Sequence, residues 1–235
     1  MKINVVGSKC TWTKELSSSY IIDDEIMFDI PQGSFKSMQI DYDLTKIKYI
    51  IISHFHSDHF GDLHLLFDLL YHESTHNITV IAPKGCKERI LSIIKAFEIT
   101  FLQELIDNRI TFLECENNKI IKFENYKLKC FKMLHGNLDA YGFTLENNGK
   151  VVGFSGDTAM CNNIRKILKK SQIAFIDSAN IEKDNKHLCV NEVEELSKEF
   201  ADCKIYAIHL VPESLEAINK FPNITHPLEK EIIEL

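Results

Sequence analysis

His54-Phe55-His56-Ser57-Asp58-His59 puts three imidazoles and a carboxylate within six consecutive positions. Neutral imidazole and carboxylate are ligands that suit zinc, manganese or iron. The spacing calls for extended backbone. Side chains two apart on a strand point the same way, so His54, His56 and Asp58 can face one side. On a helix, His54 and His56 would diverge by roughly 200°, because each residue turns about 100°. The chemistry implied is two adjacent metal sites at a strand end, with further ligands supplied from elsewhere in the chain.

The flanks agree with that placement. Residues 48–53 form a nearly continuous apolar run, as expected of a strand buried on both faces. Residues 62–73 carry Leu63, Leu66, Phe67 and Leu70 at helical spacing. Three later strand-like runs also end in a candidate ligand. Residues 126–134 lead into His135-Gly136, residues 150–154 into Ser155-Gly156-Asp157, and residues 204–208 into His209. Strand ends in layered α/β folds converge on one edge, where sites are commonly built.

The remaining elements read as follows. Strands are expected at 1–7, 20–22, 26–28, 78–82, 110–113, 120–123, 141–145 and 173–177, with 204–208 the last. Asp23-Asp24-Glu25 and Asn147-Asn148-Gly149 read as hairpin turns. Helices are expected at about 84–97, 162–170 and 191–200, and residues 8–18, which hold Trp12, read as a polar loop. His64, His72 and His76 read as helix-flank or surface histidines. The basic run Arg165, Lys166, Lys169 and Lys170 reads as a solvated helix face. This order suggests two packed sheets with helices outside, an α/β (α+β) fold in a single domain over residues 1–235.

Composition narrows the function classes. A hydrophobic content of 45% and a charged content of 26% describe an ordinary globular chain with a sizeable core. The net charge of −7 argues against a surface that grips nucleic acid throughout. Seven cysteines are scattered with no CxxC pair, so they read as buried, reduced thiols of a cytoplasmic protein. A disulfide framework or a zinc knuckle is not expected. No signal peptide is visible, and no apolar run approaches the roughly 20 residues needed to span a bilayer.

Taken together, His54-x-His56-x-Asp58-His59, then His135, Asp157 in Gly-Asp-Thr, and His209 resemble the motif of the metallo-β-lactamase fold hydrolases. The resemblance covers nearly the whole chain. It implies a four-layer αββα sandwich of two mixed β-sheets with helices on both outer faces and a two-metal site at one edge. By position, His54, His56 and His135 would hold one divalent ion, and Asp58, His59 and His209 the other. Asp157 would bridge both. Zinc is the expected metal, with manganese and iron also compatible. Two cations roughly 3.5–4 Å apart need an anionic bridge, and water between them is acidified towards a pKa of about 7, giving hydroxide. Asp58 could orient that nucleophile or accept its proton.

Departures within the family direct the substrate reading. Asp157 stands where many β-lactamases carry cysteine, and His56 where flavo-diiron proteins of this fold carry glutamate. Residues 186–209 and the Ser53 to His59 start resemble the ribonuclease Z branch. There a histidine ahead of the last helix assists the scissile phosphate, and His187 matches it. The long tRNA-clamping arm of that branch, between the middle histidine and the bridging aspartate, has no room between His135 and Asp157. The expectation is a metal-dependent phosphodiesterase for a small or nucleotide-like phosphodiester, with cyclic nucleotides among the candidates. Its catalytic residues would be Asp58 and His187. A ribonuclease Z-type tRNA 3′ endonuclease and a lactone, thioester or amide hydrolase are the alternatives. An extended nucleic-acid partner is less favoured, no membrane partner is expected, and the resemblance suggests a homodimer.

Overall fold

The computed structural model, which describes residues 1–235, contains two seven-stranded sheets. The first is built from β1 (Lys2–Gly7), β2 (Ser19–Ile22), β3 (Ile26–Phe28), β4 (Tyr49–Ile51), β5 (Ile78–Ala82) and β6 (Ile110–Glu114). The second holds β7 (Ile120–Phe123), β8 (Tyr126–Lys132), β9 (Tyr141–Asn147), β10 (Lys150–Phe154), β11 (Ile173–Asp177), β12 (Lys204–Ile208) and β13 (Ile224–Thr225). A last strand, β14 (Ile232–Glu234), returns to pair antiparallel with β1. Both sheets are mixed. Their spatial orders are β14-β1-β2-β3-β4-β5-β6 and β13-β12-β11-β10-β9-β8-β7.

The apolar pattern explains the layers. Ile50 and Ile51 are successive residues of β4, so they point to opposite faces, and both are fully buried. Ile51 joins the core between the sheets with Ile3, Phe28, Leu128, Phe143, Phe154 and Phe175. Phe28 and Phe154 stack across the two sheets at 4.1 Å between ring centroids. Each such fully buried side chain contributes roughly 1.5–3 kcal/mol.

Ile50 faces the other way, into the core beneath α1 (Ser34–Asp41), the single turn α2 (Ser57–Phe60), α3 (Leu63–Glu73), α4 (Cys86–Ala96) and α5 (Leu102–Arg109). All four apolar residues of the α3 stripe are buried there. A third core lies between the second sheet and α6 (Asn162–Leu168), α7 (Val190–Glu199) and α8 (Pro212–Ile218). The result is the expected helix–sheet–sheet–helix sandwich.

Strand direction decides where the ends fall. β10, β11 and β12 are mutually parallel. β8 reaches β10 through two antiparallel pairings, so it runs the same way. His135, Asp157, Asp177 and His209 therefore follow or close strands at one edge of the second sheet. In the first sheet, β3 and β4 are parallel and deliver Asp29 and His54. The two expected hairpin turns also form. Asp23 and Asp24 have φ of 47° and 63°, and Asn148 and Gly149 have 52° and 78°, the consecutive left-handed pair of a tight hairpin.

Several elements differ from the sequence expectation. β12 is not the last strand, because β13 and β14 follow; their two and three residues become strands through pairing rather than through composition. Four helices, α1, the single turn α2, α5 and α8, lie outside the sequence expectation. Six of the seven cysteines are buried and all are free, but Cys161 is only half-buried. No helix is long and apolar enough to cross a membrane.

Candidate metal centre

The turn after β4 assembles half of the centre. Beyond Ile51 the chain leaves the strand, bends at Ser53 and then turns into α2, where the His59 and Phe60 amides both donate to the His56 carbonyl at 3.0 Å. This single turn swings Asp58 and His59 back beside His54. The opposite side comes from the second sheet. Gly156, with φ of +56°, makes the turn that delivers Asp157; a Cβ there would lie 2.8 Å from the Tyr141 carbonyl oxygen. His209 itself sits at φ of 57°, an uncommon conformation for a non-glycine residue and one that clusters at functional sites.

All seven expected ligands come together. His54, His56, His135 and Asp157 offer donor atoms within 4.8 Å of one another, and Asp58, His59 and His209 form a second such group. Asp157 faces both. Its Oδ2 lies 3.7 Å from His54 Nε2 and 3.8 Å from His135 Nε2, whereas its Oδ1 lies 3.2 Å from His59 Nε2 and 3.4 Å from His209 Nδ1. Asp58 Oδ2 completes the second group at 3.9 Å from His59 Nε2 and 4.0 Å from His209 Nε2.

These residues fit divalent cations. His54 Nε2, His59 Nε2 and His209 Nδ1 are buried and have no hydrogen-bond partner. Leaving a buried polar atom unpaired costs about 1–3 kcal/mol, so three converging on one carboxylate demand a shared partner. His135 Nε2 and His56 Nδ1 likewise face each other at 3.4 Å. Burial, then the neighbouring His59, holds His54 well below the usual imidazole range, and burial with His135 also lowers His56. Both are thus neutral, the form that ligates metal. Burial opposes the charge of Asp157, yet His209, His59 and His54 outweigh it and hold the carboxyl well below its ordinary value.

Sequence reasoning missed two carboxylates that bond the histidines of the site. Asp29, at φ of 53°, accepts hydrogen bonds from the Ser53 amide and hydroxyl and pairs with His59 Nδ1, each at 2.7 Å. It orients the ring so that Nε2 faces Asp157. Asp177 Oδ2 lies 2.9 Å from His187 Nδ1. The available signal was the same for both: a carboxylate closing an apolar strand, as Asp157 closely follows one. His135 is oriented in turn by the Lys186 carbonyl, 2.8 Å from its Nδ1. Asp29→Asn is expected to weaken divalent-metal affinity about 10–100-fold, read by competition with a chromophoric chelator. Unchanged affinity would remove Asp29 from the support of the centre.

His187 stands beside the cluster, in a third group with Asp157 and His209. Its ring centroid is 4.8 Å from that of His135 and 5.1 Å from that of His209. Because Asp157 and His209 already belong to the other two groups, His187 adds a flanking group rather than a separate metal site. Burial works against its charged form, but the Asp177 carboxylate, its hydrogen bond and Asp157 together raise its pKa to about 9. His64, His72 and His76 stay out of the cluster. His64 and His76 bond backbone carbonyls, and His72 is exposed near Asp68.

Two facing mixed sheets with outer helices are the architecture of the metallo-β-lactamase fold, and the buried histidine–carboxylate cluster lies at their shared edge. YhfI of Bacillus subtilis, a metallo-β-lactamase fold protein, superposes with a TM-score of 0.79 at 15% identity, covering 99% of each chain. Human tRNase Z, short form, does so with a TM-score of 0.78 at 16% identity, covering 100% of this chain and 99% of that one. Residues 1–225 match the family described as anti-Pycsar protein Apyc1, and the chain belongs to that family. Among curated proteins, a ribonuclease Z of Ignicoccus hospitalis is 29% identical over 126 residues, covering 53% of this chain and 40% of that protein. The match thus spans less than half of that relative's length.

Proposed function

We propose that the chain is a phosphodiesterase acting on a small, nucleotide-like phosphodiester, cyclic nucleotides included, with two divalent ions held by the seven ligands. The observation that carries this reading is the His187–Asp177 pair beside the ligand cluster. A carbonyl hydrolase of this kind has no evident need for a further cation there. A phosphodiester does, because charge builds on its oxygens and on the leaving oxygen. Bound divalent ions would polarise a phosphoryl oxygen and acidify the attacking water.

The chain's own residues then do the rest. Asp58 orients that water and takes its proton, within the same cluster. Asp177 holds His187 through Nδ1, which leaves Nε2 to donate a proton to the leaving oxygen. The His187 side chain is 18% exposed, so solvent and substrate can reach it. The hairpin of β9 and β10 occupies most of the chain between His135 and Asp157, which favours a compact substrate over tRNA. Zinc suits the donor set best, with manganese and iron compatible. We further read the chain as one hydrolase domain over residues 1–235, working in the cytoplasm with reduced thiols as a homodimer.

The decisive test is a substrate panel on metal-loaded protein: a bis-aryl phosphate, cyclic nucleotides, precursor tRNA, a lactone and a β-lactam. Turnover of the bis-aryl phosphate and the cyclic nucleotides is expected. Activity confined to the lactone or the β-lactam would sink the reading, and a preference for precursor tRNA would replace the small substrate.

The pair also predicts a pH profile. His187 is protonated below a pKa of about 9, so the rate should fall as pH rises through about 9. Asp177→Asn removes the charge that holds the proton while burial still opposes it. The basic limb should then move to lower pH, with only Asp157 and Asp184 left to raise it. A basic limb that stays in place would separate it from His187.

A further inference from the structure

Three loops surround the metal centre, and each carries exposed apolar side chains that the chemistry above does not use. Trp12, the only tryptophan, is 78% exposed. Leu134 and Leu138, 42% and 41% exposed, flank His135, and Ile181, 46% exposed, lies between Asp177 and His187. Four of the ten exposed large apolar residues thus sit on the loops that supply the site, so their grouping there is not the usual scatter of single surface hydrophobes.

The loops are tied to the centre. The Cys10 amide donates to the Leu210 carbonyl at 3.2 Å, and the Leu210 amide to the Ser8 carbonyl at 3.3 Å, so the Trp12 loop is clipped beside His209. The Ser18 hydroxyl accepts from the His209 amide at 3.2 Å. The loop also closes tightly on itself, because a Cβ at Gly7 would lie 2.3 Å from the Ser17 carbonyl oxygen. Cys10 is fully buried, and the Thr13 amide donates to its carbonyl at 3.2 Å, making the turn that presents Trp12. Burial raises the Cys10 thiol pKa against a hydrogen bond from the Trp12 backbone. The Asp58, Asp157 and Asp177 carboxylates add to the rise, which places this turn in the field of the site. Across the centre, the Gly136 amide donates to the Asn185 carbonyl at 2.8 Å and joins the other two loops.

We propose that Trp12, with Leu134, Leu138 and Ile181 on the other two loops, is the platform that stacks the base of a nucleotide substrate whose phosphodiester lies at the metal centre. This rests on the phosphodiesterase reading and names its specificity element. A tryptophan whose backbone sits in a hydrogen-bonded turn has only its two side-chain torsions to fix on binding. Every base offers a π-face, so such a platform selects nucleotides over base-free phosphodiesters without choosing one base. The aliphatic residues of the other two loops would close over the edges of the base.

A single tryptophan makes the test direct. In the metal-loaded His187→Ala protein, a 3′,5′-cyclic nucleotide should quench Trp12 fluorescence saturably, whereas ribose 3′,5′-cyclic phosphate should not. In the otherwise native protein, Trp12→Ala should raise KM for the cyclic nucleotide at least tenfold more than for the base-free analogue, and Trp12→Phe should restore most of the difference. Because Trp12 is exposed, folding and metal content of both variants can be verified independently. Equal KM effects on the two substrates would overturn the proposal, as would fluorescence that responds to protein concentration and not to nucleotide. Quenching without any phosphodiester turnover would sink the phosphodiesterase reading and leave the platform standing. Turnover of a base-free phosphodiester with no quenching by nucleotide would sink the platform alone.

Discussion

Replacing His187 with alanine should lower turnover of a phosphodiester by about 10²- to 10⁴-fold, the range expected when a positioned acid is lost. The ring is outside the two donor groups proposed to hold metal, so metal content per chain should not change. Its neighbours explain the size of the effect. Asp177 is fully buried and fixes Nδ1 at 2.9 Å, which orients the ring and keeps it charged through neutral pH. The loss should be larger for a substrate with a poor leaving group, such as an alkyl ester, than for an aryl ester whose leaving oxygen needs little protonation. Metal analysis and single-substrate kinetics on the same preparation check both halves. If metal content falls with the activity, His187 is a ligand. If aryl and alkyl esters lose rate equally, it is not the acid.

Asp157→Ala should have the other large effect, and its signature is different. The two oxygens of this carboxylate are divided between the two ligand groups, with four imidazole nitrogens 3.2 to 3.8 Å away. On the two-metal proposal, alanine removes the anion that would offset two adjacent cations, so the bound metal should fall from two ions to one or fewer, with turnover near background. Asp157→Asn keeps the shape and one oxygen but not the charge, and should retain metal poorly. Elemental analysis after dialysis against excess metal decides the matter. Two ions retained by the alanine variant would show that Asp157 does not bridge.

The legibility of the site differed between its layers. His54, His56, Asp58 and His59 lie within six positions, so density and ligand chemistry exposed them, although Asp58 and His59 sit on the helical turn α2 and not on the extended backbone that the spacing called for. His135, Asp157 and His209 were legible because each follows an apolar run and a turn. The orienting groups were not. Asp29 acts on His59 from 30 positions away, and Asp177 on His187 from ten. Pro31 and Gly33 mark residues 29–33 as a chain break, and a carboxylate closing a strand does not by itself say which distant ring it supports. The short β13 and β14 failed for the same reason: a two- or three-residue strand is defined by its neighbour. α1 was hidden because it starts at a left-handed glycine without a side-chain cap.

By itself, the sequence determined the type of chemistry and the class of fold. Ligand types, two-residue spacing and alternating or continuous apolar runs are local properties, and they suffice to specify metal donors at strand ends within a layered sandwich. Only the tertiary structure decided which atoms face each other. It divided the Asp157 oxygens between two groups, set Asp29 and Asp177 behind His59 and His187, and clipped the Trp12 loop beside His209. These relations depend on the direction of strands in two sheets and on φ angles at Asp29, Gly156 and His209, which packing imposes and no short window of residues encodes.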